Sequence, residues 1–156
     1  MPKNYKLMNY TSTVPPEKSI LEIEKLLWSA GATKIAKDAN RDGTITALVF
    51  ALPVGEQTLP FRLPCDVEKV FSVLMRDYTK PHRDTAKRVR QQAERVAWRI
   101  LLDWIDAQVT MIQLEQARPE EVFLPYMWNG HQTLFQQFQA NDFLLPDHIE
   151  TKEKSR

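Results

Sequence analysis

The chain has 156 residues, 43% hydrophobic and 26% charged, which is ordinary for a soluble globular protein. That length suits one domain able to bury a core without disulfides or metals. The net charge of +1 excludes general attraction to polyanions, although the charge is unevenly placed. Residues 76–99 hold eight Lys/Arg against Asp77, Asp84 and Glu94, net +5; residues 100–156 hold four against nine acids, net −5. The single cysteine, Cys65, excludes an intrachain disulfide and fits a reducing cytoplasm. The first residues lack the apolar core of a signal peptide, and no apolar run is long enough for a membrane span. The composition therefore points to a cytoplasmic protein with no membrane partner.

Residues 1–12 read as a flexible or loosely docked arm. Thr13 is placed to cap a first helix, with Pro15 and Pro16 in its first turn and Gly31 as its stop. Ile20, Ile23, Leu26 and Leu27 repeat at helical spacing. ATKIAKDA, TITALVFALPV and QTLPFRLP follow as a three-stranded antiparallel meander, with Asn40–Gly43 and Gly55 as turns. The middle strand is apolar on both faces (Ile45, Ala47, Val49; Leu48, Phe50, Leu52), so it belongs at the sheet centre. Pro60 cannot donate to a ladder, which sends the third strand to an edge.

Asp66 is expected to cap a short helix over 67–77, and a loop, YTKPHRD, separates it from a long one. The long helix spans 84–117, with Asp84 as its cap and Pro119 as its end. One apolar stripe runs Ala86, Val89, Ala93, Val96, Ile100, Trp104, Ala107, Met111 and Leu114. A second joins from residue 97: Trp98, Leu101, Leu102, Ile105, Val109 and Ile112. Two stripes need two covers. The sheet supplies one; the other is either a terminal helix over 133–139 (Leu134, Phe135, Phe138) or a second copy of the chain. A helical turn over 120–126 and an Asn129-Gly130 turn lie between, and 141–156 reads as a polar tail. The predicted fold class is α+β, with one domain over 13–140.

The chemistry-bearing residues form no catalytic pattern. His82, His131 and His148 are scattered, without a second ligand at metal spacing. Asp103 and Asp106 share a helix face, but Arg99, four residues before Asp103, suits an ion pair with it. Cys65 precedes a helix start, a place that can activate a thiol, yet no histidine neighbours it in sequence. The four glycines fall in turns, and no phosphate loop exists. No cofactor is implied, and a non-catalytic role is expected.

The remaining signal is basic. Lys80, Arg83, Lys87, Arg88, Arg90, Arg95 and Arg99 are the candidate contacts for nucleic acid or nucleotide phosphates; a solvated helix face accounts for the same charges. Trp98, Ile105, Val109, Trp128, Phe135 and Phe138 are the candidate interface residues, toward either a second copy or a host protein.

The segments RVAWRILLDWIDAQVTMIQLE (95–115), FLPYM (123–127) and TLFQQF (133–138) resemble a recurrent small protein of bacteriophage and prophage genomes. The N-terminal YTSTVPPEKSILEIEKLLWSAGATKIAKD and FRLPCDVEKV extend the likeness over residues 9–138. The resemblance implies a phage or mobile-element setting and carries no activity or site residue with it. Proteins in that setting often bind nucleic acid or block host defence. Three functions are expected from these features, in descending order: an accessory protein binding nucleic acid or nucleotide, an anti-defence inhibitor or adaptor binding a protein, and a metal-dependent nuclease.

Overall fold

The computed structural model describes residues 6–144. The elements run α1 (Pro16–Ser29), β1 (Lys34–Ala39), β2 (Ile45–Val54), β3 (Gln57–Pro64), α2 (Val67–Leu74), α3 (Arg83–Gln113), α4 (Pro119–Phe123) and α5 (Leu134–Ala140). Single 3-10 turns follow α2 (Met75–Asp77) and α4 (Leu124–Tyr126). The fold is α+β, with an antiparallel sheet in the order β1-β2-β3.

Helix boundaries differ from the sequence expectation for backbone reasons. Pro15, not Thr13, is the N-cap of α1: a residue before proline is pushed out of the helical region, and Pro15 sits at ψ 145° ahead of Pro16. Asp84 lies inside the first turn of α3, because the chain turns helical at Arg83 and His82 is the N-cap. The C-terminus of α3 comes before Pro119. Glu115 takes a left-handed φ of 57°, Gln116 N–H donates to Met111 O, and Glu115 N–H donates to Ile112 O, both at 3.0 Å. That closing motif usually carries glycine, so its glutamate gives no sequence cue. Pro119 instead opens α4. Asp66 caps α2 as expected, its Oδ1 accepting Lys69 N–H at 3.1 Å. Thr133 caps α5 and exchanges side-chain and backbone bonds with Gln136.

β2 is central, pairing Phe50 with Ile35 on one side and Phe61 on the other. In the β1–β2 turn Gly43 holds φ 87° and donates to Asn40 O at 3.0 Å, a conformation that favours glycine. β3 is an edge strand. The Pro60 carbonyl faces away from β2 and accepts Trp128 N–H at 2.9 Å. In an antiparallel strand the N–H and C=O of a residue point the same way, so the missing Pro60 donor costs β2 nothing. An isolated bridge from Met127 to Phe61 covers part of this edge.

One sheet face carries the core. Leu48, Phe50, Leu52, Phe61 and Leu63 cluster with Ile20, Ile23 and Leu27 of α1 and with Trp98, Leu102, Ile105 and Val109 of α3. Phe123 of α4 closes the cluster, fully buried, with ring centroids 5.2 Å from Phe50 and 6.1 Å from Trp104. The second apolar stripe of α3 is therefore covered by the chain's own sheet, α1 and α4. The terminal helix does not lie on α3, because α5 packs beside the Leu124–Tyr126 turn. On the opposite sheet face Arg62 reaches across β2 from β3 to β1, its Nε 3.0 Å from Asp38 Oδ2 and its guanidinium against Trp128.

The arm is docked where described. Asn9 Nδ2 donates to Asp103 Oδ2 at 2.7 Å, and Gln92 Nε2 donates to the carbonyls of Tyr10 (3.1 Å) and Ser12 (2.8 Å). Of the expected polar tail, 141–144 form a turn after α5, and the rest lies outside the described residues.

Candidate nucleic-acid interface

The seven candidate cations do not form one patch. Successive helical residues rotate by about 100°, so Arg88, Arg95 and Arg99 fall on one side of α3 and Arg83, Lys87 and Arg90 on another. Three of the seven are engaged. Arg90 makes a two-pronged ion pair with Glu68 of α2 and lies 4.3 Å from the centroid of the Phe71 ring. The Glu68 hydrogen bond raises the pKa of its guanidinium further, so it stays charged. Arg99 Nε sits 3.5 Å from Asp103 Oδ1, and Arg95 Nε donates to Gln92 Oε1 at 3.0 Å. Lys80, Arg83, Lys87 and Arg88 are exposed and enter no ion pair among the described residues.

On the Arg88 and Arg95 side the docked arm makes a concave site. Tyr10 of the arm, Leu74 at the end of α2, Tyr78 after the 3-10 turn that follows it, and Arg88, Gln92 and Arg95 of α3 line a cleft of about 460 Å³. Tyr10 and Tyr78 are 41% and 42% exposed, so both rings are accessible. Asp77 also lines this cleft. Lys6 Nζ stands over the Tyr10 ring, 4.7 Å from its centroid, and adds a cation near the cleft. Sequence reasoning misses the two tyrosines because they are 68 residues apart and meet only through the fold.

The side of α3 that carries Arg83, Lys87 and Arg90 also carries Glu94, beside a cluster of carboxylates. Glu94, Glu17 and Asp42 line a separate cavity of about 440 Å³ with Lys37. Partial burial, then the Asp42 and Glu17 charges, hold the Glu94 carboxyl above its usual range. Asp42 itself is held low by the Thr44 N–H it accepts at 2.9 Å. Folding thus divides the net positive segment into two electrostatic environments.

The proposed interface set splits as well. Trp98, Ile105 and Val109 are at most 1% exposed, so they belong to the core and offer no surface for a second copy. Trp128 and Phe138 are half-buried, and Phe135 is 49% exposed, its ring centroid 5.8 Å from that of Phe143. Cys65 is buried between β3 and α2, and its thiol is pushed up to about 12 by desolvation and then by Asp66, which opposes activation at the helix start. Asp103, one of the two carboxylates weighed for a metal, accepts from Asn9 and pairs with Arg99. Among the described residues no three His, Cys, Asp or Glu side chains converge to hold a metal ion, and no helix is long and apolar enough to cross a membrane.

No protein-family model, curated protein or solved structure matches the chain.

Proposed function

We propose that this chain is a non-catalytic accessory protein that binds nucleic acid or nucleotide phosphates through the loop before α3 and the first turns of that helix. The observation carrying this reading is the exposure of Lys80, Arg83, Lys87 and Arg88 without carboxylate partners among the described residues. Cations with no carboxylate partner are free to meet an external anion. The phage or mobile-element setting rests on the sequence resemblance alone. If the four cations neutralise four phosphates, the logarithm of affinity falls against that of salt with a slope of roughly −3. Fluorescence polarisation of a labelled mixed-sequence oligonucleotide between 50 and 200 mM salt tests this. Affinity unchanged by salt, or by the combined Lys80→Glu, Arg83→Glu and Lys87→Glu substitutions, sinks the reading.

A second reading, an inhibitor or adaptor that binds a host protein, is favoured by the surface around α5. There Phe135, Phe143 and Leu144 are 49%, 57% and 72% exposed and adjoin a groove lined by Leu134 and Phe138. Asp142 and Phe143 both hold left-handed φ angles, 53° and 59°, a conformation side chains seldom adopt. Affinity capture from nuclease-treated host lysate decides it. A partner protein lost with Phe135→Ser and Phe143→Ser but kept with the charge reversals supports this reading; capture of nucleic acid alone counts against it.

A further inference from the structure

We infer that the cleft between the arm and α3 takes an unpaired base, making the preferred ligand a single strand rather than a duplex. The inference rests on the phosphate-binding reading above and names its substrate class.

The cleft joins the two chemistries such a ligand requires. Tyr10 and Tyr78 bring phenol rings from different segments to one concavity, and stacking on aromatic rings needs a base released from its pair. Arg88 and Arg95 supply cations beside those rings, and Asp77 offsets one of them, leaving the cleft net +1. That balance suits one phosphate next to one base with hydrogen-bonding edges. The volume of about 460 Å³ lies in the range of small-ligand sites and is suited to a nucleotide-sized group.

The surroundings extend the site along a strand. Lys6 stands at the Tyr10 ring. From Arg88 to Arg99 the cleft side of α3 runs about 16 Å at 1.5 Å per residue, enough for a few nucleotides of backbone. The cleft itself is held open by the docked arm. Gln92 grips two arm carbonyls and Asn9 is tied to Asp103, so the Tyr10 platform is positioned before a ligand arrives. A duplex keeps its base faces stacked on one another and gains nothing from the two tyrosines.

The test uses the full chain and three fluorescent probes: a 12-residue oligothymidylate, its oligouridylate counterpart, and a 12-base-pair duplex. A fourth probe carries 2-aminopurine, whose emission is quenched on stacking, within the oligothymidylate. The expected result is binding to at least one single strand about tenfold or more tighter than to the duplex, with 2-aminopurine quenching. Preference between the first two probes reports whether the strand is DNA or RNA. Tyr10→Ala with Tyr78→Ala is expected to lose about tenfold in single-strand affinity and the quenching, while Tyr10→Phe with Tyr78→Phe keeps both. Equal affinity for duplex and single strand, or quenching that survives the alanine pair, overturns the inference. If the alanine pair does not fold, the wild-type strand preference and quenching decide alone. Duplex binding that Lys80→Glu, Arg83→Glu and Lys87→Glu abolish leaves the phosphate reading standing without the cleft; absence of binding to every probe removes both.

Discussion

The two halves of α3 are one continuous helix, yet they bury opposite faces. Before residue 98 the buried side chains are Val89, Ala93, Val96 and Ala97; from there on they are Trp98, Leu102, Ile105 and Val109. At about 100° per residue the two sets are rotated by roughly half a turn. The second set belongs to the main core, whereas Val89, Ala93 and Val96 are buried outside that cluster. Small side chains in the first half permit close packing with neighbouring helices, and large ones in the second fill the space above the sheet. A helix that changes its buried face midway cannot keep one polar face along its length. Its cations are consequently split between two sides, and the arm completes a cleft on one of them.

If the second half is the structural spine, the largest loss of stability comes from Trp98→Ala. Its side chain is 1% exposed in the main core, and removing it is expected to cost about 3–5 kcal/mol in denaturant unfolding. A cost below about 1 kcal/mol would mean that the core does not depend on this half. The same substitution at moderate temperature is expected to leave phosphate affinity in the folded fraction unchanged.

The reciprocal test acts on the first half. Lys80→Glu, Arg83→Glu and Lys87→Glu change exposed side chains with no ion pair among the described residues, so each should move stability by no more than about 0.5 kcal/mol. Oligonucleotide affinity is expected to collapse, and the salt slope to shrink by about 0.7–0.9 for each phosphate that is no longer neutralised. A variant that unfolds readily but binds normally would reverse the division of labour between the two halves.

How far the sequence discloses this arrangement depends on the range of the interaction. The meander is legible because turn chemistry at Asn40–Gly43, the doubly apolar β2 and Pro60 each act locally or through alternation. The end of α3 is not, since Glu115 adopts a left-handed turn that glycine normally advertises. The two apolar stripes are visible, but periodicity does not say which stripe is covered where. Trp98, Ile105 and Val109 consequently look as suitable for an interface as for a core. Among the candidate cations, exposure follows from the helical period, whereas Arg90 is taken out of service by Glu68, 22 residues away. The cleft is invisible in the sequence because the arm that carries Tyr10 is brought to α3 by hydrogen bonds of Asn9 and Gln92 to residues more than 80 positions away.

Arg90 offers a smaller test, since it connects the first half to α2 and not to a ligand. Its pair with Glu68 is exposed, which limits that contribution to about 0.2–1 kcal/mol. Its packing on the Phe71 ring adds about 0.5–1 kcal/mol. Arg90→Ala is therefore expected to cost about 1 kcal/mol, less at high salt, with oligonucleotide affinity little changed. A tenfold affinity loss without a stability change would instead put Arg90 on the ligand.

Glu94 gives the smallest expected effect and tests the carboxylate-lined cavity beside the same half. Its folded pKa is raised above the ordinary 4.5, first by desolvation and then by Asp42 and Glu17. The native state therefore holds this proton more tightly than the unfolded chain does. By linkage, stability from this group is fully present below the ordinary value and is lost as pH rises through the higher folded value. Glu94→Gln removes the charge, so it is expected to stabilise the protein at pH 7 and to flatten the decline that starts near pH 4.5. Solvent screening at this partly exposed site keeps the gain to a few tenths of a kcal/mol. Urea unfolding of both proteins from pH 4 to 7 measures it. A Glu94→Gln variant less stable at pH 7 would mean that the attraction of Arg90 and Arg95 outweighs the acidic cavity, and that the helix carries one electrostatic environment here instead of two.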